Sequence, residues 1–145
     1  MNEIAEIKLS YSTQGGNKDK FKVSSNEVAY NYFKDNWDTS TLEMQEECKA
    51  LLLNRSNCVL GIYSLSRGGI SGTVVDIKLL LVAAIKACAS SIILAHNHPS
   101  GNLKPSHQDI KLTQKLIKAC EYLDIQFLDH LIITKENFAS IKDAV

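Results

Sequence analysis

Short apolar blocks separated by polar turns follow one another along the chain. Blocks bounded by turn residues predict strands at 7–11, 21–23, 48–54, 58–66, 91–95 and 125–134. Longer stretches predict helices from 24 to about 37, over 77–89, over 106–122 and over 135–142. Because strands and helices alternate, the predicted fold class is α/β or a mixed three-layer arrangement, in which helices flank a mixed sheet.

Polar residues mark the points where three of these helices begin. Ser24 with Glu27, and Ser106 with Asp109, have the serine-x-x-acid spacing of a capping box. Asp76 can cap the second helix, whose nearly unbroken apolar composition predicts heavy burial.

Composition and charge narrow the classes of protein that the chain can represent. It has 145 residues, of which 45% are hydrophobic and 22% charged, and this fits one globular domain rather than a disordered chain. The 16 basic and 16 acidic residues give a net charge of zero. A strongly basic nucleic-acid binder is therefore not the default expectation.

The apolar runs and the cysteines indicate where such a protein works. The longest apolar run, 79–85, is far shorter than the roughly 20 residues of a membrane span, and the first residues lack a basic and then apolar leader. The four cysteines form no C-x-x-C pair, which favours reduced thiols in the core. These features predict a cytoplasmic protein with no membrane partner.

The stretch from His96 to Asp109 carries the most informative chemistry. His96 and His98 stand two apart at the exit of a strand, so an extended backbone points both imidazoles to one side and Asn97 to the other. After ten intervening residues, Asp109 falls in the first turn of a helix that a loop can fold back over the strand end. Two imidazoles and a carboxylate suit Zn²⁺ and leave a fourth position open, as in catalytic zinc sites.

Each part of this pattern also has a simpler interpretation. A His-x-His pair on a loop most often consists of two polar side chains that point into water without binding a metal, and Asp109 by its spacing alone is a capping partner of Ser106. The two roles of Asp109 do not exclude each other. Pro99, Gly101 and Pro105 stiffen and bend the loop at fixed points, which indicates a shaped connection.

Acidic residues just before the strand at 48–54 include a candidate general base, which a water-activating zinc site requires. Glu46 shares strand parity with the apolar Cys48 and Ala50, whereas Glu47 has the opposite parity. The alternation predicts that Glu46 points inward and Glu47 toward solvent. On spacing alone, the alternative is an acidic turn exposed to water.

The run His-Asn-His-Pro-Ser-Gly at 96–101, with Ser106 and Asp109 after it, resembles the motif of the RadC family. These proteins are bacterial members of the JAB/MPN (JAMM) zinc metalloprotease superfamily. The resemblance covers 44–133 and includes Leu-Asp-His-Leu-Ile-Ile at 128–133. It implies a JAB/MPN, cytidine-deaminase-like fold in a domain over 44–145, preceded over 1–43 by an N-terminal extension of a hairpin and a helix.

The resemblance also implies the chemistry. It implies one Zn²⁺ per chain, bound by the residues that match the family ligands, His96, His98 and Asp109. Glu46 matches the catalytic glutamate, and Ser106 matches a serine that stabilises the oxyanion. The implied reaction is zinc-assisted hydrolysis of an amide in a peptide or isopeptide substrate, with Glu46 moving a proton from water to the leaving amine.

Departures from the family pattern leave a second hypothesis open. RadC proteins commonly carry an N-terminal helix-hairpin-helix region associated with DNA, for which 1–43 has no room, and this weighs against direct DNA contact. The segment Asp76-Ile77-Lys78-Leu79 replaces a family segment similar to His-Pro-Arg-Glu. The alternative is a non-catalytic metal-binding or scaffold module, an accessory in DNA repair or in the DNA transactions of a mobile element.

Two further features have structural interpretations. Asp129 and His130 match a recurrent family pair, but at a strand end such a pair is more often a structural hydrogen bond than a metal ligand. The lysine stripe of the helix over 106–122 is typical of a solvated helix face.

Overall fold

A five-stranded sheet forms the centre of the described chain, which comprises residues 3–6, 8, 12, 21–68 and 74–145 of a computed structural model. In chain order the elements are α1 (Asn26–Asp35), β1 (Glu47–Leu53), β2 (Val59–Arg67), α2 (Ile77–Lys86), β3 (Ser91–Asn97), α3 (His107–Tyr122), β4 (Gln126–Ile133), β5 (Phe138–Ser140) and a 3₁₀ helix (Lys142–Ala144). The strand order is β2-β1-β3-β4-β5; β3 and β4 are parallel and the other neighbouring strands antiparallel. The predicted mixed sheet flanked by helices is confirmed.

Helices cover both faces of this sheet. Ile93 of β3 packs in one apolar cluster with α1, and its neighbour Leu94 packs in a second cluster with α2 and α3. Side chains alternate between the faces of a strand, so His96 follows Leu94 toward α3 while Asn97 follows Ile93 toward the α1 layer. Successive residues at the end of β3 therefore enter different layers.

The burial of α2 is lower than its composition predicts. Leu80 and Ala84 are its buried residues, whereas Leu79, Val82 and Ile85 are 48–55% exposed. The helix packs against β2, which is an edge strand of the sheet, so one stripe of α2 meets apolar neighbours. The prediction of heavy burial is therefore wrong. An apolar side chain is buried only where another part of the protein covers it, and the composition of α2 does not supply such a neighbour.

This difference between adjacent leucines gives a stability prediction. Leu80→Ala is expected to lower the free energy of unfolding by about 2–5 kcal/mol, because it removes a fully buried side chain and leaves a cavity. Leu79→Ala makes the same chemical change on the exposed stripe, so its effect is expected to stay under about 1 kcal/mol. Urea unfolding of both variants measures the difference, and equal losses would contradict the observed orientation of α2.

Two helix predictions need correction. Ser25 rather than Ser24 caps α1, because Ser25 has the extended backbone of a cap and its Oγ accepts a backbone N–H at 3.2 Å.

The predicted helix over 135–142 is wrong. The backbone N–H of Thr134 donates to the carbonyl of Asn137 at 2.9 Å, and this turn folds the chain back so that β5 pairs with the free edge of β4. Sheet pairing outweighs local helix propensity there.

Other predictions concern the N-terminal region and the cysteines. Apart from Lys8, the predicted strand at 7–11 lies outside the described residues, and the predicted strand at 21–23 forms a single bridge from Lys22 to Cys58. All four cysteines are free, and those in β1 and α3 are buried. Among the helices of the described chain, none has the length and apolar character needed to cross a bilayer.

Candidate metal centre

The end of β3 and the start of α3 bring two imidazoles and a carboxylate together. His96 Nε2 lies 2.9 Å from His98 Nε2 and 3.3 Å from Asp109 Oδ1, and His98 Nε2 lies 3.4 Å from Asp109 Oδ2. Bonds of about 2.0–2.1 Å to a tetrahedral zinc place its ligand atoms roughly 3.3–3.4 Å apart. Both contacts of Asp109 match this spacing, and the two nitrogens lie slightly closer. The group could therefore hold a metal ion.

The loop after β3 orients His98. Gly101 has a φ of 83°, in the left-handed region that favours glycine, and its N–H donates to the carbonyl of His98 at 3.0 Å. The Nδ1 atom of His98 donates to the carbonyl of Asn102 at 2.6 Å. Because Nδ1 carries the proton, the neutral ring has its lone pair on Nε2, toward Asp109.

A chain of three hydrogen bonds orients His96 in the same way. The Thr113 hydroxyl donates to the backbone carbonyl of Asp109 at 2.8 Å and lies 2.8 Å from His130 Nδ1. With its own proton used, Thr113 accepts from His130 Nδ1, which leaves His130 Nε2 to accept from His96 Nδ1 at 2.7 Å. The lone pair of His96 is then on Nε2. His130 thus makes the predicted structural hydrogen bond and lies outside the candidate ligand group.

The electrostatics of the group favour a cation. Burial alone raises the pKa of Asp109, but hydrogen bonds from His96 and His98 outweigh it and hold that pKa well below its usual range. Burial alone lowers the pKa of His98, but hydrogen bonds to Asp109 and to the carbonyl of Asn102 outweigh it and raise that pKa. These hydrogen bonds to Asp109 need a proton on Nε2; without that proton each ring has the neutral tautomer set at its Nδ1, and two Nε2 lone pairs then lie beside an ionised carboxylate. A divalent cation bound there would neutralise this arrangement and would displace any proton on the ligand atoms.

Glu46 lies on the wall of the cleft that contains His96 and Asp109. The cleft has a volume of about 250 Å³, and its apolar walls come from Val75 and Leu112. The predicted inward direction of Glu46 agrees with this position. A carboxylate therefore faces the same space as two of the three candidate ligands.

The prediction that Glu47 points to solvent is wrong. Glu47 is 4% exposed, and its Oε1 accepts from Arg67 Nε at 2.8 Å and lies 2.6 Å from Arg67 Nη2. The alternation of the strand is as predicted, but the face that the sequence pattern assigned to water is covered: Leu51 and Leu53 pack with α1, and Thr41, in the segment after α1, lies 3.4 Å from the Glu47 carboxylate. When helices cover both faces of a sheet, parity decides the layer of a side chain and not its exposure.

Ser106 lies at the head of α3, where it caps the helix. Its Oγ accepts the backbone N–H of Asp109 at 3.0 Å, and its own N–H donates to Asp109 Oδ2 at 2.8 Å. The capping box and the candidate ligand role of Asp109 thus coexist in one carboxylate. Because Ser106 Oγ accepts in the capping bond, its hydroxyl proton can be donated elsewhere.

Sequence reasoning missed Thr113, and the structure shows why. Threonine in a helix has many uses, and its partner His130 comes from a strand 17 residues away. The available signal was the spacing of four from Asp109, which places both residues on one helix face.

The segment 76–79, which differs from the family pattern, has a local structural role, because the Asp76 side chain caps α2.

The buried state of His130 predicts a pH dependence. Burial, followed by the charge of His96, lowers the pKa of His130 well below its usual value. Below about pH 6.5 the unfolded state binds a proton that the folded state excludes, so stability falls by up to about 1.4 kcal/mol per pH unit. His130→Gln removes this contribution. The pKa of His98 is shifted in the opposite direction in both proteins, so its contribution cancels when the stabilities of the wild type and the variant are compared.

Urea unfolding of the chelator-treated wild type and His130→Gln at pH 5, 6 and 7 measures this effect. The wild type is expected to lose more stability than the variant between pH 7 and pH 5. Parallel pH profiles would show that His130 is not held neutral by the fold.

The fold and the site together define a class of protein. It is an α/β domain whose sheet carries a candidate metal centre where β3 ends and α3 begins. The family model of the RadC-like JAB domain matches residues 23–145, and the chain belongs to this family. The resemblance seen in the sequence is thereby confirmed. The matched range includes α1, and the domain boundary between 43 and 44 stays a prediction.

Several curated relatives share the name UPF0758 protein. That of Porphyromonas gingivalis is 52% identical over 89 residues, which are 61% of this chain and 39% of the relative. That of Flavobacterium johnsoniae is 47% identical over 98 residues, 68% of this chain and 43% of the relative. That of Aquifex aeolicus is 34% identical over 139 residues, 96% of this chain and 58% of the relative. The matched part of this chain thus spans 39–58% of these three proteins.

Proposed function

We propose that this chain is a zinc-dependent hydrolase of JAMM type that cleaves an amide bond in a peptide or isopeptide. The observation that carries the proposal is the single cleft onto which Glu46, His96 and Asp109 all face. A general base beside a three-ligand metal group with room for a fourth ligand is the arrangement of hydrolytic zinc sites. The free cysteines suit a reducing compartment, and we place the protein in the cytoplasm.

The residues present fit a zinc ion. His96 Nε2, His98 Nε2 and the Asp109 carboxylate would hold it, because these ligand atoms lie within 4.8 Å of one another and the neutral tautomers leave both Nε2 lone pairs available. Bound there, zinc supplies Lewis acidity for a water and for the scissile carbonyl. The hydrogen bonds of His130 and Asn102 keep the two imidazoles in the orientation that this requires.

Glu46 performs the proton transfers in this proposal. Its carboxylate accepts a proton from the attacking water and then donates it to the leaving amine, which otherwise departs poorly as an anion. The apolar residues Val75 and Leu112 limit the water around this carboxylate. A small, partly dry cleft strengthens each electrostatic contact within it.

Ser106 stabilises the developing negative charge. Its hydroxyl oxygen already accepts a hydrogen bond from Asp109, so its proton is the part that can be given to an oxyanion. The N-terminus of α3, which Ser106 caps, adds the favourable end of a helix dipole. Both contributions grow as charge accumulates on the substrate oxygen, and this lowers the barrier rather than tightening substrate binding.

A second cleft supports a chain-like substrate. His98 lines another space of about 250 Å³ together with the loop residues Pro99 and Gly101. The candidate metal group therefore lies between two clefts, with His96 and Asp109 on one side and His98 on the other. An extended peptide crossing the centre would place residues from both sides of the scissile bond in contact with protein.

The test combines metal loading with a broad search for hydrolysis. The purified chain, loaded with Zn²⁺, is incubated in H₂¹⁸O with a random octapeptide library and with lysine-isopeptide-linked peptides. Mass spectrometry should find new carboxylates carrying one ¹⁸O, and a zinc chelator should suppress them. Zinc at one ion per chain without any ¹⁸O product would overturn the hydrolase and favour the non-catalytic module. Failure to bind zinc would overturn the metal centre itself.

A further inference from the structure

The side chain between the two histidines of the motif makes contacts of its own. Asn97 is fully buried and lies on the face of β3 opposite His96. Its Oδ1 accepts the backbone N–H of Glu47 at 2.7 Å. Its Nδ2 donates to the carbonyls of Leu42 at 2.7 Å and Gln45 at 2.8 Å. One amide side chain thus uses its acceptor and both of its donors.

All three partners belong to the segment 42–47, which carries Glu46. The ladder between β1 and β3 ends at the pair Cys48 and His96, so no strand pairing with β3 holds the residues before Cys48. The three hydrogen bonds of Asn97 begin where that ladder stops. They attach the approach to β1 to the strand that presents the candidate metal ligands.

The peptide group that joins Glu46 to Glu47 is held at both of its polar atoms. Its carbonyl accepts the N–H of Gly68 at 2.8 Å, and the next amide, that of Glu47, donates to Asn97. The carboxylate of Glu46 enters the cleft from this anchored peptide. Its location relative to His96 therefore depends on Asn97, which is bonded to His96 through a single peptide link.

We propose that Asn97 is a positioning residue for Glu46: it sets the distance between the proton-carrying carboxylate and the metal group without touching either. This role rests on the proposed hydrolase function. In a His-x-His pair on a strand the middle residue points away from the metal. In this chain it points toward the segment 42–47, which carries the proposed base Glu46. Serine or alanine at this position keeps the two histidines but leaves the buried carbonyls of Leu42 and Gln45 without their donors.

The variant Asn97→Ser tests the role, with Asn26→Ser as its matched control. Asn26 also makes a long-range side-chain hydrogen bond, to Asp129 at 2.7 Å, but at the junction of α1 and β4. Asn97→Asp is the second variant, because it keeps the size and the acceptor of Asn97 while losing both donors. All proteins are compared with Zn²⁺ bound.

The first readout requires no activity. In Asn97→Ser the amide of Glu47 is expected to exchange with deuterium roughly tenfold faster, as for the loss of one buried hydrogen bond, while amides of β3 and the affinity for Zn²⁺ stay close to wild type. In Asn26→Ser the Glu47 amide should be unchanged. In Asn97→Asp, which keeps the acceptor, the Glu47 amide should change less than in Asn97→Ser; unaltered Glu47 exchange in Asn97→Ser, or an equal rise throughout β1 and β3, would overturn the positioning role.

The second readout uses the peptide found by the ¹⁸O screen. Asn97→Ser is expected to lower kcat by about 10²-fold, the size of effect that a misplaced reacting group produces, with little change in KM. In a Glu46→Gln background the same substitution should cause almost no further loss, because its effect passes through Glu46. An equal loss in both backgrounds would overturn the proposal. If the wild type hydrolyses nothing, the proposed function fails instead, and the exchange readout alone decides whether Asn97 holds the segment.

Discussion

Glu46→Gln is expected to lower amide hydrolysis by about 10²–10⁴-fold while the chain still binds Zn²⁺. The amide of glutamine has nearly the size of the carboxylate but cannot accept the proton of water at neutral pH. Glu46 lies in the cleft but outside the candidate ligand group, so zinc affinity is expected to change by less than about tenfold. Initial rates with the ¹⁸O-identified peptide and titration with a zinc-sensitive dye measure the two quantities.

The matched control for this change is Glu121→Gln. Glu121 is exposed near the end of α3, far along the helix from Asp109, and the substitution removes the same charge. Its hydrolysis rate should equal that of the wild type. If Glu46→Gln hydrolyses as fast as this control, another group moves the proton and Glu46 only lines the cleft.

His98→Ala is expected to lower the affinity for Zn²⁺ by ~10³-fold or more, beyond the roughly 10–100-fold that loss of an outer hydrogen-bond partner causes. The change removes one of three converging donors, and His96 and Asp109 alone cannot close a tetrahedral site. Hydrolysis should disappear at zinc concentrations that saturate the wild type. Elemental analysis after dialysis gives the zinc content, and competition with a chelator gives the affinity.

His107→Ala is the matched control for this change. It shows whether the loss of zinc affinity is specific to a ligand histidine or follows the loss of any nearby histidine. His107 is exposed in the first turn of α3, two residues before Asp109, and lies outside the candidate ligand group. The variant should bind zinc as tightly as the wild type. Zinc retained by His98→Ala at wild-type affinity would mean that the ion is held elsewhere.

Local patterns predict much of this fold because they reflect local physics. The alternation of β1, continued one residue back, puts Glu46 on the side of Cys48 and Ala50, and Glu46 lines the cleft with Leu112 of that layer. The serine-x-x-acid spacing gives the cap of α3 correctly. The exposure of Glu47 and of α2 was predicted wrongly for one shared reason. The burial of a strand or helix face depends on whether another element packs on it, and a short stretch of sequence contains no information about that element.

The sequence by itself determines that two imidazoles leave one strand on the same side and that a helix begins at Ser106 with Asp109 in its first turn. Those features depend on backbone geometry over a few residues. The tertiary structure alone decides that Asp109 reaches the histidines, that His130 and Thr113 fix the tautomer of His96, and that Asn97 holds the segment of Glu46. These contacts join residues far apart in the chain, and hydrogen bonds of that kind are set by sheet order and layer packing rather than by spacing.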